Sequence, residues 1–313
     1  MTKVLVTGAN GFLGKKVCKL LISKGYEVIG TYRSSHPQND EFKLIHWIKI
    51  QDLQPKEVWI EALKNCDIVI HTAGRVHQMN SNKNSDNLFF NDNTNGTDAL
   101  ICEILQNNSS IKQFIFISTL LVYGRYQTMP LNKNKECNPD TIYGKSKLAA
   151  ENIIQKRFKN SSISWTILRP AVMYNESDSE NTGNIASIVN YIKKGIPLPI
   201  KNLKNKRSFL SVNRMAEFIH FSILNENAKN KIFNVSDPEP ISTEQFVLFF
   251  GKLINKKPKL VWVPFFMQYI LAILGDIIQL FRIRVPWNTA VLTKISSNFW
   301  TESDSFQKIS KGE

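Results

Sequence analysis

The stretch KVLVTGANGFLG, Lys3 to Gly14, decides the fold. Five residues of strand character, Lys3 to Thr7, run straight into glycines at Gly8, Gly11 and Gly14. A helix-spaced pattern through Leu13, Val17, Leu20 and Leu21 follows, to a stop at Gly25. Glycines at those offsets give a tight turn, let the backbone approach a phosphate, and let a helix pack close on a strand. A pyrophosphate seated there meets unpaired backbone N–H groups and the positive end of a helix dipole. Gly8, Asn10, Gly11, Phe12, Leu13 and Gly14 are therefore expected to bind a dinucleotide cofactor.

Outward from this loop the alternation continues. Glu27–Thr31 reads as strand, Leu44–Ile48 as strand, Pro55–Leu63 as helix, Asp67–His71 as strand and Asn93–Leu105 as helix. Gln113–Ser118 then reads as strand, Tyr143–Phe158 as helix and Trp165–Arg169 as strand. Strands and helices in this rhythm imply right-handed crossovers and a doubly wound parallel sheet, the Rossmann type of α/β fold. After Pro170 the rhythm breaks into polar loops, with helices expected over Asn184–Lys194, Val212–Leu224 and Ser242–Ile254. The expected division is 1–172 for the dinucleotide-binding domain and 173–313 for a smaller substrate-binding lobe, with some later strands returning to the main sheet.

Composition narrows the function classes. The chain has 313 residues, 42% of them hydrophobic, enough to bury a core and too apolar for a disordered chain. The four cysteines, Cys18, Cys66, Cys102 and Cys137, form no CxxC pair, so neither a metal site nor a redox dithiol is expected. The N-terminus holds no signal-peptide core, so a cytoplasmic location is expected. The net charge of +14 comes from scattered lysines and two denser groups, 201–207 and 252–259, without interleaved aromatics; nucleic acid is not an expected partner.

Where an NAD site usually carries an acid at the end of the second strand, this chain reads Gly30, Thr31, Tyr32, Arg33, Ser34. An arginine there pairs with a 2′-phosphate, so NADP(H) is favoured and NAD(H) is the alternative, with Arg33 merely stacking on adenine. Tyr143 and Lys147 are four apart and share one helix face; an adjacent ammonium lowers a phenol's pKa, which lets the pair move a proton on and off an oxygen. Ser118 and Thr119, at the end of the preceding strand, offer a hydroxyl to the same oxygen.

GANGFLG (8–14), ISTLLVYG (117–124) and YGKSK (143–147) resemble, in order and spacing, the motifs of the extended short-chain dehydrogenase/reductases, the NAD(P)-dependent nucleotide-sugar epimerase/dehydratase family. That resemblance implies Thr119 as the hydroxyl, Tyr143 as acid/base and Lys147 also on the nicotinamide ribose. It implies Asp52 and Leu53 at adenine, Ala73 and Gly74 beside the pyrophosphate, Pro170 near the nicotinamide, and Arg207 on the diphosphate of a nucleotide-diphosphate sugar. A homodimer built by pairing two helices of each subunit is implied in the same way. Family members that dehydrate the sugar carry Asp and Glu after the catalytic threonine; here Leu120 and Leu121 stand there, and neither transfers a proton. HTAGRVH (71–77) is similar to a subgroup containing 4-ketoreductases of UDP-linked 6-deoxy sugars, with Arg75 and His77 as substrate contacts. Reduction of a C4 keto group, for surface polysaccharide synthesis, is the leading expectation. The alternatives are 4-epimerisation with retained NAD and a non-catalytic NADP-binding regulator.

The segment 263–281 is apolar but interrupted. Gln268, Ala272, Asp276 and Gln279 share one helical face; Phe266, Ile270, Ile273, Ile277 and Phe281 share the other. An aspartate disfavours a membrane span. A core helix docked by its apolar face is the leading reading; a weak peripheral membrane contact through 263–284, with Arg282 and Arg284 facing lipid phosphates, is the other. The chain also departs from the resemblance after Phe306 and Lys308, where related chains continue into a Leu-Gly turn and a final helix.

Overall fold

The computed structural model describes residues 1–36, 42–76, 83–107, 110–125, 127, 129–177, 181, 183–281, 285, 287–302 and 304. Seven parallel strands form the main sheet: β1 (Lys3–Thr7), β2 (Glu27–Tyr32), β3 (Ile45–Lys49), β4 (Ile68–His71), β5 (Gln113–Ile117), β6 (Ser164–Pro170) and β9 (Lys231–Val235). Their order is β3-β2-β1-β4-β5-β6-β9. The order reverses between β1 and β4, so a crevice opens at their C-terminal ends, where such sheets bind ligands. Two short strands, β7 (Val172–Tyr174) and β8 (Phe209–Ser211), pair separately. The main sheet thus draws its last strand from the C-terminal third of the chain.

Successive residues of β1 point to opposite faces and are buried on both, as a parallel sheet requires. Val4 and Val6 join a core with α1 (Phe12–Ser23) and α7 (Val212–Leu224), through Val17, Leu21, Phe218 and Ile219. Leu5 joins the opposite core with α4 (Gly96–Asn107) and α5 (Ile142–Phe158), through Leu100, Ile104, Ile154 and Phe158. A third core holds α6 (Gly183–Lys193) against α8 (Thr243–Leu253), with the Phe209 and Phe246 rings stacked 3.7 Å apart.

Three expectations change. Leu44 is exposed and β3 starts at Ile45. The helix expected over 55–63 is a 3₁₀ turn, Lys56–Trp59, followed by the single-turn α2 (Ile60–Leu63). The helix expected from Asn93 starts earlier, as α3 (Lys83–Phe90), passes through a π-helical turn over Asn91–Asn95, and continues as α4.

A fourth change is larger. Helix α9 (Phe265–Leu280) turns Gln268, Ala272 and Gly275 toward the protein, against the segment that leads into α10 (Thr289–Ser296). Phe266, Ile270, Ile273, Ile277 and Phe281 are all exposed, and no α9 residue belongs to any of the three cores. The docked core helix is therefore overturned: the helix is docked by its polar face. Among the described residues no helix is long and apolar enough to cross a membrane.

Candidate active site

The dinucleotide loop sits at the switch point. Gly8 has φ +66°, and a Cβ there would lie 2.9 Å from the Ala73 Cα; at Gly14 one would lie 2.3 Å from the Gly8 carbonyl. Only glycine permits this packing of β1, α1 and the turn after β4. No side chain caps α1 and its first turn holds no acid, so its N–H donors are left for an anion. These features fit a dinucleotide pyrophosphate. Gly74 closes the opposite wall, where an added Cβ would lie 3.1 Å from the Lys147 Nζ.

Asp52 is exposed and its carboxylate accepts from the Gln54 N–H at 3.0 Å, whereas Leu53 is buried in the sheet core and its carbonyl accepts from the Trp59 indole at 3.2 Å. Arg33 is engaged by the protein itself. Its guanidinium donates to both carboxylate oxygens of Asp92, at 3.1 and 3.2 Å, and to the Gln51 carbonyl at 3.0 Å. Asp92 also holds Arg75, at 3.0 Å from Nε. Asn93 accepts from the Arg75 N–H at 2.7 Å and donates to the Ser146 hydroxyl at 2.9 Å. Asp92 and Asn93 lie in the π-helical turn, whose widened winding aims both side chains at the site. Hydrophobic period shows no such turn, so the sequence reading missed them. His77 lies outside the described residues.

Tyr143 stands in the first turn of α5, whose N-terminus is capped by the Thr141 side chain accepting from Gly144 N–H. Gly144 lets α5 approach the 3₁₀ turn after β5; a Cβ there would lie 2.6 Å from the Leu121 carbonyl. This approach sets the Thr119 hydroxyl beside the Tyr143 phenol. Burial pushes the phenol up to about 12, and the Thr119 hydroxyl pulls against it. Phe89 of α3, which the sequence reading also missed, packs its ring 6.2 Å from the Tyr143 ring.

Lys147 is buried, donates to the Ile117 carbonyl at 2.9 Å and lies over the Phe116 ring. Burial lowers its pKa to about 8, against the attraction of Glu151. The expected lowering of the phenol by Lys147 is absent here: desolvation dominates both groups, and the ammonium is directed at a carbonyl. His71, also buried, is pushed down to about 3 by burial and by Lys147, and its ring bridges Thr7 and Thr97 as a neutral group.

Ser118 takes a different place from Thr119. Its hydroxyl donates to Glu151, two turns further along α5 than Tyr143. Glu151 is held by Arg169, whose guanidinium also donates to the Tyr123 hydroxyl at 2.6 Å; Tyr123 in turn donates to Asn234 at 3.0 Å. Glu151 follows Lys147 by four on α5, and that spacing is the signal by which the sequence could have shown it. Pro170 is buried at the end of β6, beside Val235 of β9.

Arg207 is buried, and its guanidinium donates to the carbonyls of Lys294 at 2.6 Å and Ser297 at 3.2 Å. Among the described residues no carboxylate faces it. Burial lowers its pKa to about 10; Lys294 is lowered by burial, then by Arg207 and Arg125.

A glycine loop at a sheet's switch point, facing a Thr-Tyr-Lys constellation, defines a dinucleotide-dependent oxidoreductase site of the short-chain type. The chain belongs to the NAD dependent epimerase/dehydratase family, whose model matches residues 4–236. It is 31% identical to a UDP-glucose 4-epimerase of Vibrio cholerae over 83% of this chain and 78% of that one. It is 26% identical to an N-acetyl-alpha-D-glucosaminyl-diphospho-ditrans,octacis-undecaprenol 4-epimerase of Escherichia coli O157:H7, over 84% and 75%. In fold it is similar to Pal from Bacillus thuringiensis, with a TM-score of 0.75, 22% identity and coverage of 99% of this chain and 93% of that one.

Proposed function

We propose that this enzyme reduces the C4 keto group of a nucleotide-diphosphate-linked sugar, with NADPH as the exchangeable cofactor. The observation that carries the reading is the Thr119 hydroxyl beside the Tyr143 phenol, with buried Lys147 one turn further along α5. The Gly8–Gly14 loop, Ala73, Gly74 and Pro170 would hold a nicotinamide dinucleotide, which would supply hydride for C4. Tyr143, kept in its protonated form by burial, gives its proton to the C4 oxygen, and Thr119 orients that oxygen. In this reading Lys147, one turn further along α5, holds the resulting phenolate, and Arg207 anchors the diphosphate. Arg33 supports NADPH through its place at the end of β2: a 2′-phosphate would take the guanidinium over from Asp92. Arg75 is assigned to the sugar, and a homodimer belongs to the same reading.

A second reading, 4-epimerisation with retained NAD, is favoured by the Vibrio relative and by the pairing of Arg33 with Asp92. Mass spectrometry of the nucleotide carried by freshly purified protein, followed by NADPH oxidation on adding a UDP-4-keto-6-deoxy-N-acetylhexosamine, separates the two. Little retained cofactor and stoichiometric NADPH consumption are expected; tightly held NAD with no net oxidation selects the epimerase. In either case Tyr143→Phe should lower kcat by about a thousandfold and leave cofactor affinity unchanged, and retained kcat removes Tyr143 from proton transfer. Arg33→Asp should raise the KM for NADPH and improve the use of NADH; an unchanged preference removes Arg33 from cofactor selection.

A further inference from the structure

Helix α9 carries an apolar surface that the fold leaves open. Phe265, Phe266, Met267, Tyr269, Ile270, Leu271, Ile273, Leu274, Ile277, Ile278 and Leu280 are all exposed, and the surface continues to Trp262 on one side and Phe281 on the other. At about 100° per residue the side chains from Phe266 to Leu280 sweep about 200° of the helix circumference. The remaining arc, Gln268, Ala272, Gly275, Asp276 and Gln279, is the one turned to the protein. It is held there by chemistry that rules out a rolled helix. A Cβ on Gly275 would lie 1.9 Å from the Trp287 carbonyl, the Trp287 indole donates to the Gln268 carbonyl at 3.3 Å, and the Gln268 amide donates to the Val263 carbonyl at 2.8 Å.

The width of the arc discriminates between occupants. A partner helix, including one from a second copy of this chain, covers a stripe of about 100° and leaves the flanks wet. Burying the whole arc takes a continuous apolar medium. Charge points the same way. Exposed Lys256, Lys257 and Lys259 lead into α9, and the 198–201 loop pairs its backbone with Lys259 and Val261, which brings exposed Lys201 to the same end. Arg282 and Arg284 follow α9 in the sequence. Aromatic and aliphatic side chains flanked by cations suit the headgroup boundary of an anionic membrane, and a helix of 16 residues is too short to cross one.

We propose that α9 lies in the interfacial layer of an anionic phospholipid bilayer, docking the enzyme by its substrate lobe. The helix immerses its broad apolar arc, its polar arc remains on the protein, and the lysines at its N-terminal end meet lipid phosphates. This surface is independent of the hydride chemistry, since no residue of α9 belongs to the site.

Cosedimentation of the full chain with vesicles tests it, using phosphatidylcholine alone and phosphatidylcholine mixed with phosphatidylglycerol. The protein should pellet with the anionic vesicles, less so at high salt and less so with phosphatidylcholine alone. The Phe266→Ser/Ile270→Ser/Ile277→Ser variant should bind at least about tenfold more weakly, with unchanged Tm and dinucleotide binding. Lys256→Glu/Lys257→Glu/Lys259→Glu should lose the preference for anionic lipid. The proposal is overturned if the wild-type protein stays in the supernatant with both kinds of vesicle, or if the serine variant pellets like wild type. It is also overturned if sedimentation shows a dimer that the serine variant dissociates while neither form binds vesicles, because a second copy then covers the helix.

Discussion

Helices α7 and α9 each carry an apolar face and a more polar one at helical spacing, and they meet the protein by opposite faces. Helix α7 buries Val212, Met215, Phe218 and Ile219 against β1 and α1, and its outer face is half-buried to exposed. Helix α9 buries a glutamine, an alanine and a glycine, and exposes almost everything apolar. Periodicity reports that a helix has two faces; it does not report which side is water. What sets α9 is local: the contact at Gly275 admits a backbone carbonyl, which no larger residue would, and Gln268 closes on Val263. One buried atom is left without a partner there among the described residues, the Gln268 Oε1. In the sheet cores, by contrast, buried polar groups such as Glu151 and Arg169 are fully engaged with one another.

The contrast can be broken by stability measurements in denaturant. Phe218→Ala opens a cavity in a fully packed core and should cost about 3–5 kcal/mol; a loss near zero would mean that α7 is not the anchor described. Gly275→Ala forces a methyl against the Trp287 carbonyl and should cost about 1–3 kcal/mol, read as lost hydrogen-exchange protection in α9 and α10 with the sheet unaffected. The smallest effect is the most discriminating one. Ile270→Ser, on the open arc, should change stability by no more than about 0.5 kcal/mol in the absence of lipid. A cost like that of Phe218→Ala would show that α9 docks by its apolar face after all.

Much of the sheet was legible because parallel strands buried on both faces read as continuous apolar runs, and the glycine triplet has a backbone reason at each position. Tyr143 and Lys147 were legible as a candidate pair from their helix spacing, whereas the strand end offered Ser118 and Thr119 alike and only the resemblance to the family singled out Thr119. Their electrostatics were not, since desolvation depends on what covers the site: α3, with Phe89 over Tyr143, lies in a polar stretch with little apolar period. Ser118 and Thr119 are adjacent in sequence and chemically alike, and only the path of the chain after β5, where Thr119 caps the 3₁₀ turn, gives them different neighbours along α5, Glu151 for one and Tyr143 for the other. The π-helical turn hid Asp92, and with it the pairing of Arg33, because one residue more per turn has no compositional mark.

The last strand of the main sheet has a consequence for how the molecule comes off the ribosome. β9 pairs with β6 from Thr166↔Lys231 to Pro170↔Val235, after the chain has passed through β7, α6, β8 and α7. Until residue 235 has emerged, β6 is an uncovered edge of apolar residues with a free ladder of N–H and C=O groups, the surface from which nascent chains aggregate. The order of synthesis therefore leaves the main sheet waiting on the segment between β6 and β9, and the late, long-range closure of β6 by β9 is the step at which a chaperone would hold this chain.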